Sequence, residues 1–494
     1  MKRTCTSFLK YFLASVCLSA VPLHAQDFRF DSTISQKVLE NYLSRSISYT
    51  ELLHDDLSQA RDGRGVDPRD NIRMLLNCRA KYIGRSIMLW GTETHITAFC
   101  KNGKRIIDTM HTVDPDIIFE AAEFEFVSSD VNNVAVPAYV FQEFGQAVVT
   151  RNFSLANIIY NDGQSRGGIP TVPDISKLEA RMWFYFMAVS YIDIGVEAIH
   201  FGQVGLMTGN DPGYTNWLDM LTRVRAYARA HARRHIVLCN AHTTPSANYV
   251  VNGKLLFDVH AFPLRIAQSG TTCCKGELRV GYSDALFTKS KGGITPSGWS
   301  CAHLPWLGEF DNFGGSNPGT SSSGTIFIWG WDEITWIARL SEADRDNWLR
   351  YAWNWIAAND SVCHLEMPGS RVLTNGPSNS PGWYWSNTKS AACPNGFNAE
   401  DTIKAIWGPI QTSAIHPSGQ AGRKNGYVAV EGSRWKGSIF LVSGRLVKTF
   451  SGEAEFAQSS KVEHLLPRLN KGVYLYLISF PSGKLLKGKV AIDR

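Results

Sequence analysis

Acidic, histidine and amide side chains recur at alternate positions in short apolar runs of this 494-residue sequence. Successive side chains of a β-strand point to opposite faces, so alternate positions share one face. Charged groups are rarely buried without a partner or a task, and the set therefore predicts one convergent polar site. The residues on these faces are Glu120, His200, Asn240, His242, Asp258, His260, Glu309, Asp311 and Glu366.

Paired carboxyl groups are what cleavage of a glycosidic bond requires. One carboxyl stays protonated for the leaving oxygen, and the other stays ionised as nucleophile or base. Glu309, in Leu-Gly-Glu-Phe-Asp-Asn, is the first candidate because a glycine precedes it, and Glu120 is its predicted partner. Glu123 and Glu93 replace Glu120 if the strand phase is shifted by one. The residues expected to support the pair or bind sugar hydroxyls are Asp258, Glu366, His200, Gln203, Asn240, His242, His260 and Asp311.

Aromatic residues strengthen the carbohydrate interpretation, since the chain holds 15 Trp, 17 Tyr and 25 Phe. The apolar faces of sugar rings stack on such side chains while polar groups bind the hydroxyls. Trp90, Trp329 and Trp331 lie at the ends of predicted strands and are predicted to bind substrate. Trp383, Tyr384 and Trp385 lie in a loop after the last predicted strand.

Two alternatives remain open. Glu93, His95, His242, His260 and Glu366 could together hold a metal ion for amide or ester hydrolysis. A barrel that binds glycans without cutting them is the other alternative. The prediction for the main hypothesis is a site without metal or cofactor. Serine-histidine-aspartate catalysis is disfavoured because no Gly-x-Ser-x-Gly turn follows a strand.

Eight short apolar runs could position these residues. They are Ser86–Trp90, Asp116–Ala122, Ala198–Gln203, His235–Ala241, Leu255–Phe262, Trp306–Asn312, Ile326–Trp331 and Cys363–Pro368. The segments predicted as helices are Ser35–His54, Pro68–Lys81, Lys177–Ile194, Trp217–Ala232, Asp344–Ala358 and Ala399–Trp407. Alternating strands and helices predict an α/β fold, a (β/α)8 TIM barrel, with a doubly wound open sheet as the rival. Two insertions, 128–177 and 268–300, are expected at the carboxyl edge of the strands.

Composition excludes several classes. The net charge of +6, from 50 Lys and Arg against 44 Asp and Glu, is too small and too evenly spread for a nucleic-acid partner. Residues 1–25 are predicted to be a signal peptide, with a basic start, an apolar stretch and Ala25 before the cleavage point. No membrane span is expected in the mature chain. Cys239 and Cys363 are predicted to be buried thiols, whereas Cys273, Cys274, Cys301 and Cys393 are disulfide candidates.

The order of strands and helices, with the carboxylate-rich rim, resembles the TIM-barrel glycoside hydrolases of bacteria that secrete polysaccharide-degrading enzymes. In the large retaining clan of that fold, an Asn-Glu ends the acid/base strand and a Glu ends the nucleophile strand three strands later. Glu309 matches the nucleophile position, but Gly202-Gln203 stands where Asn-Glu belongs. The resemblance implies a poly- or oligosaccharide substrate.

The tail changes character to short alternating strands, predicted at Tyr427–Glu431, Lys436–Leu441, Leu446–Phe450 and Val473–Ile478. Val442–Lys448, Leu469–Leu477 and the final Gly-Lys-Val-Ala-Ile resemble the C-terminal sorting domain of the type IX secretion system. That family implies a β-sandwich, contact with the secretion machinery, a Bacteroidetes-type origin and a secreted or surface location. The predicted organisation is 1–25 signal peptide, 26–67 helical lead, 68–410 barrel, 411–426 linker and 427–494 β domain.

Overall fold

The computed structural model of the chain describes residues 26–242, 249–271, 273–282, 291–321, 326–374, 376 and 382–410, and the backbones of four strands after residue 433. Two compact units are present, Met1–Ala414 and Ile415–Arg494. The predicted signal peptide, the linker 411–426 and the predicted strand Tyr427–Glu431 lie outside the described residues.

A curled sheet of ten strands, most of them parallel, forms the centre of the first unit. Its strands in chain order are β1 (Ser46–Tyr49), β2 (Tyr82–Met88), β3 (Ile118–Ala122), β4 (Ala198–Gln203), β5 (Leu238–His242), β6 (His260–Pro263), β7 (Trp306–Glu309), β8 (Cys363–Leu365), β9 (Met367–Val372) and β10 (Trp383–Trp385). β1 to β8 pair in sequence order, each parallel to the next.

The segment Cys363–Val372 connects both ends of this series. Its first part, β8, pairs with β7, and its second part, β9, pairs in parallel with β1. Glu366 is the residue between the two parts. β10 then adds an antiparallel edge to β9. The parallel strands therefore present their carboxyl ends to one common region, where sites of such sheets are built.

Two predictions about strands were wrong. Ser46–Tyr49, predicted as part of a helix, is β1 of the sheet, because its side chains are buried on both faces. Ile326–Trp331, predicted as a strand, holds only the isolated bridge between Ile328 and Trp331. Gly330 turns the chain there at a φ of +80°, so the apolar run folds back on itself.

Helices follow β1 to β4, β7 and β10 along the chain, whereas the described residues between β5 and β6 and between β6 and β7 contain no helix. Six of the helices overlap predicted ones, but the long helix Ile96–Val113 was not predicted. Their bounds are α1 (Gln36–Leu43), α2 (Pro68–Cys78), α3 (Ile96–Val113), α4 (Ala138–Glu143), α5 (Leu155–Ile158), α6 (Leu178–Asp193), α7 (Val204–Met207), α8 (Thr215–His231), α9 (Glu333–Arg339), α10 (Glu342–Asn359) and α11 (Glu400–Trp407). The start of α2 follows the expected chemistry, since the Asp67 side chain accepts the Arg69 N–H and Pro68 occupies the first turn.

An apolar layer closes the amino ends of the strands. Val38, Leu39 and Leu43 of α1 pack with Leu238 and Leu307, which are the inward side chains at the start of β5 and β7. This layer removes apolar surface from water at the amino ends, beside the buried ion pair of Glu197 and Arg234.

Both insertions follow strands, as predicted. The first contains α4 and α5, and the second contains short paired segments. These segments are Ala267–Gln268 with Gly276–Glu277, and Gly293–Ile294 with Ser300–Cys301; Lys254–Leu255 pairs with both Gly293–Ile294 and Val250–Val251. Within the described part of the chain, no helix combines the length and apolarity needed to span a bilayer.

Cysteine predictions are resolved in part. Cys239 and Cys363 are buried free thiols, which confirms that prediction, and Cys273 and Cys274 form a disulfide. Cys301 and Cys393 are free, so they were wrongly predicted as disulfide candidates.

The second unit contains four antiparallel strands, β11 (Arg434–Leu441), β12 (Leu446–Glu453), β13 (Gly472–Ser479) and β14 (Leu485–Ile492). Their order in the sheet is β12-β11-β13-β14. Three of them overlap predicted strands, and the fourth contains the terminal Gly-Lys-Val-Ala-Ile sequence.

Glu400 anchors α11 to α2, and its charge contributes to the stability of the first unit. Its carboxylate accepts hydrogen bonds from Arg73 Nη1 at 2.6 Å and Asn77 Nδ2 at 2.5 Å. Burial disfavours the charged form, but these donors outweigh burial and lower the pKa of Glu400 to about 2. We expect Glu400→Gln to reduce the free energy of unfolding at pH 7 by about 2 kcal/mol.

A lowered pKa adds stability above the ordinary carboxyl pKa of 4.5 and loses it as the pH falls toward about 2. The difference between wild type and Glu400→Gln in urea unfolding should therefore shrink between pH 5 and pH 3.5. A difference that stays constant over this range would contradict the role of the charge.

Glu123 makes the opposite contribution. Both its carboxyl oxygens are buried without a hydrogen-bond partner, and burial raises its pKa well above the ordinary value of 4.5. The folded state keeps a proton that the unfolded state releases, so stability should fall as the pH rises above about 4.5. We expect Glu123→Gln to reduce this fall between pH 5 and 8, by up to about 1.4 kcal/mol per pH unit. If the free energy of unfolding, measured with urea, falls by the same amount between pH 5 and 8 in both proteins, this expectation is wrong.

Candidate functional site

Two arginines and two carboxylates form a closed ring at the carboxyl ends of the strands. Arg85 Nη2 lies 2.6 Å from Glu309, and Arg85 Nη1 lies 3.4 Å from Asp311. Arg371 Nη1 lies 3.4 Å from Glu309, and Arg371 Nη2 donates to Asp311. Each arginine thus bridges both acids. The ring joins β2, β7 and β9 and leaves none of its four charges without a counterion.

The backbone at Arg85 is shaped to deliver its side chain to this ring. Its φ of +53° is uncommon for a residue with a Cβ, and the pairing of β2 with β3 shifts between Ile83 and Ile87. Such a bulge re-aims a side chain at the cost of local strain. The backbone N–H of Arg85 still has a hydrogen-bond partner, because it donates to Glu120 Oε2 at 3.2 Å.

Glu309, the last residue of β7, is held as an ionised carboxylate. His242, the last residue of β5, contacts Glu309 Oε1 through Nε2. Burial alone would raise the pKa of Glu309, but Arg85, His242 and Arg371 outweigh burial and hold the pKa well below its usual range. Glu309 is therefore an anion at every pH near neutrality.

Glu120 and Glu366 form a second layer inside the sheet. Glu120 accepts from Tyr82 Oη at 2.5 Å and from Asn240 Nδ2 at 2.9 Å, and Glu366 accepts from Ser46 Oγ at 3.1 Å. A Cβ on Gly84 would overlap Glu366 Oε1 and lie 3.4 Å from Glu120 Oε2. The two carboxyl groups therefore approach each other over the bare backbone of this glycine.

Within this inner layer, Glu366 holds a proton at neutral pH. Burial and the nearby Glu309 and Glu120 raise the pKa of Glu366 to about 8, and burial raises the pKa of Glu120 despite its donors. Burial and Arg85 likewise lower the pKa of His200 far below its usual value, so its ring is neutral. His200 packs edge-on against His242, with ring centroids 4.7 Å apart.

Glu333, the first residue of α9, helps to position the ring through hydrogen bonds to the backbone. Its carboxylate accepts the backbone N–H groups of Leu264 and Asp311, both at 3.2 Å. Burial raises its pKa to about 8. These bonds fix the chain just after β7, and so fix where Asp311 meets the two arginines.

Another carboxyl group lies beside the end of β4. Glu125 accepts the backbone N–H of Gln203 and its side-chain Nε2, both at 2.8 Å. Gly202 has a φ of +58°, and a Cβ there would overlap Glu125 Oε2. Glu125 therefore depends on a glycine at this position.

Phe124 and Phe126 flank Glu125 in the chain, and both rings pack against the partly exposed Trp90. Trp90 stacks on Phe126 at 4.7 Å and meets the edge of Phe124 at 5.5 Å, while 48% of it stays exposed. Phe124 in turn lies 6.2 Å from His200 and below the guanidinium of Arg85. The aromatic platform is thus continuous with the charged ring.

Several sequence-predicted residues lie elsewhere. Asp258 precedes β6 and pairs with Arg225 of α8 at 2.9 Å, and His260 starts β6 stacked on Trp306. Trp329 and Trp331 are buried, with only 3% and 6% exposed, which leaves no face for a sugar. The other displaced side chains are Trp385, Tyr384, Glu93 bonded to Ser128, and His95 stacked on Phe99. Gly308 admits Leu264 and Cys363 rather than substrate.

The residues that could hold a metal ion also differ from the predicted set. His242, Glu309 and Asp311 offer ligand atoms within 4.8 Å of one another, whereas the predicted set with Glu93, His95 and His260 is dispersed. Arg85 and Arg371 already neutralise the two carboxylates of this trio. A divalent cation would have to displace both guanidinium groups, so the donor set fits a metal poorly.

Sequence reasoning missed Arg85, Arg371, Tyr82, Ser46 and Glu125. Arg85 stands one residue before the predicted first strand, in the run Tyr-Ile-Gly-Arg-Ser-Ile-Met. A charged residue after glycine in an otherwise apolar run is a signal that could have marked it. No comparable signal marks Arg371 or Glu125, because their role depends on contacts across the sheet.

Comparisons with known proteins find no matching family model and no matching curated protein. Among solved structures, a Bacteroides uniformis beta-glucuronidase is 9% identical over 94% of this chain and 47% of its own, with a TM-score of 0.31. A GH113 beta-1,4-mannanase is 11% identical over 74% and 98%, with a TM-score of 0.36. A Nostoc punctiforme debranching enzyme is 10% identical over 77% and 82%, with a TM-score of 0.35.

The chain spans about half the length of the beta-glucuronidase.

Proposed function

We propose that the chain is a secreted glycoside hydrolase that cleaves a poly- or oligosaccharide through carboxyl groups at the carboxyl ends of a (β/α)8 barrel. The observation that carries the proposal is Glu309, a carboxylate held ionised by Arg85, Arg371 and His242 at the end of β7. Such a group serves as the nucleophile or the base of glycoside hydrolysis.

Opposed pKa shifts in neighbouring carboxyls support this proposal. Glu309 is ionised, as a nucleophile or base must be, while burial and the neighbouring carboxylates keep Glu366 protonated beside it. Trp90, exposed beside the ring, offers a face on which a sugar can stack. The closed order of strand pairs from β1 to β9 supports the barrel.

The location is part of the proposal. The predicted signal peptide and the resemblance of the tail to type IX sorting domains support export to the surface or beyond, with the secretion machinery as a partner. Fusing residues 411–494 to a reporter in a type IX-competent host would test this, since the proposal requires export across the outer membrane.

Replacing Glu309 by Gln should lower kcat/KM by about 10³-fold or more, because the transition state loses its stabilising negative charge. The measurement is the release of reducing ends from a polysaccharide panel and of nitrophenol from 4-nitrophenyl glycosides. Glu277→Gln is the matched control, since Glu277 also pairs with an arginine, Arg279 at 2.6 Å, but is far from full burial. Full activity in Glu309→Gln would reject the proposed role.

The metal-dependent hydrolase is the second candidate, supported by the approach of His242, Glu309 and Asp311. Because Arg85 and Arg371 already neutralise the acids, activity should survive dialysis against EDTA unchanged. Loss on chelation with recovery in Zn²⁺ or Mn²⁺ would favour the metal instead. Binding to a glycan array without new reducing ends would favour a non-catalytic barrel.

A further inference from the structure

Within the proposed function, on which this inference rests, we propose that Glu125 is the carboxyl that protonates the leaving group. The family that the sequence resembles ends the corresponding strand with a glutamate, whereas β4 ends with Gln203. A neutral amide cannot donate a proton to a departing oxygen as a carboxylic acid does. The structure supplies a carboxyl to the same place from the next strand in the sheet.

The end of β4 is built to receive Glu125. Gln203 holds each oxygen of Glu125 with a separate donor, its backbone N–H and its Nε2, both at 2.8 Å. Gly202 leaves the space that Oε2 occupies. Gln203 is thus a positioning residue that fixes the carboxyl at the strand end, and is itself exposed to the mouth.

Strand register places Glu125 on the same rim as Glu309. Gln203 is the pairing partner of His242 across β4 and β5, and His242 contacts Glu309. Glu120, the partner predicted from the sequence, is instead aligned with Ala198, the first residue of β4. Along β4, Glu120 therefore lies at the buried end and Glu125 at the open end.

The aromatic platform lies beside Glu125. Phe124 and Phe126, its neighbours in the chain, both contact Trp90, whose exposed half faces away from them. A sugar on the leaving-group side of the scissile bond can stack on Trp90 while its glycosidic oxygen meets Glu125. The loops after β2 and β3 would thus together bind the leaving sugar and protonate its glycosidic oxygen.

The proton balance is complete without any further reagent. Glu125 gives its proton to the glycosidic oxygen as the C–O bond breaks, and the bond electrons leave with that oxygen. The anomeric carbon takes an oxygen of Glu309, later displaced by water, or takes a water oxygen directly. In either case one water is consumed, and its remaining proton returns to Glu125, directly or through Glu309 and solvent.

Leaving-group dependence tests the assignment. A panel of 4-nitrophenyl glycosides first identifies the sugar that the full-length enzyme cleaves. The 2,4-dinitrophenyl glycoside and the disaccharide of that sugar are then compared in Glu125→Gln. The disaccharide needs a protonated leaving oxygen and should lose about 10²–10⁴-fold in kcat/KM, whereas dinitrophenolate leaves unaided and should lose less than about 10-fold. Retained dinitrophenyl activity also shows that the variant folds.

Glu93→Gln is the matched control. Glu93 is also buried and is also held by two donors of one residue, the N–H and Oγ of Ser128 at 2.7 and 2.6 Å. It should show no leaving-group dependence. Glu125→Asp, which withdraws the carboxyl by one methylene, should show the dependence in weaker form and serves if Glu125→Gln does not fold.

Disaccharide cleavage within about 3-fold of wild type in either Glu125 variant would overturn the assignment. Equal losses on both substrates would also overturn it, since they indicate a structural role. These outcomes leave the proposed function intact as long as the wild type hydrolyses the panel. A wild type that cleaves no member of the panel or of the polysaccharides refutes the proposed function and this inference together.

Discussion

The ring of Arg85, Glu309, Arg371 and Asp311 is the constraint on which the rest of the site depends. Arg85, Glu309 and Arg371 are almost fully buried and Asp311 is partly buried, and burying an unpaired charge would be prohibitive. Breaking a buried pair by removing one partner typically costs about 3–5 kcal/mol. The ring draws from β2, β7 and the segment after Glu366, so its geometry holds distant strands in a defined relation. Two unfavourable features accompany the ring: the positive φ of Arg85 and the burial of the Glu333 carboxyl, which raises its pKa to about 8.

Charge in the sheet is sorted by depth. The apolar layer under α1 covers the amino ends of β5 and β7, Glu366 beside Gly84 holds a proton in the middle, and Glu309 and Asp311 meet their counterions at the carboxyl ends. Glu366 stays protonated because it is buried beside the negative charges of Glu309 and Glu120, while the arginines of the ring already pair with Glu309 and Asp311. This order leaves Glu309 as an anion between its arginines and the protonated Glu366, which is the electrostatic basis of the proposed chemistry.

Sequence reasoning predicted the layers of this fold better than its contacts. Hydrophobic spacing located most helices and the strands that carry Glu120, His200, Asn240 and Glu309, because period-two and period-3.6 patterns depend on burial alone. It failed for Ser46–Tyr49, where both faces are buried and alternation disappears, and for Trp331, where a glycine turn interrupts an apolar run. Asp258 lies at the alternate position expected from the sequence, but it forms an ion pair with Arg225 of α8 instead of joining the site. Partners distant in sequence leave no local signal.

The central claim is that Glu309 is ionised while Glu366, a short distance beneath it, is protonated. Carbon NMR of protein labelled at the glutamate carboxyl carbons, recorded from pH 4 to pH 9, tests it directly. The resonance that disappears in Glu309→Gln should keep the chemical shift of an ionised carboxylate throughout. The resonance that disappears in Glu366→Gln should change from protonated to ionised near pH 8. A Glu309 signal that titrates within this range, or a Glu366 signal already ionised at pH 6, would contradict the account.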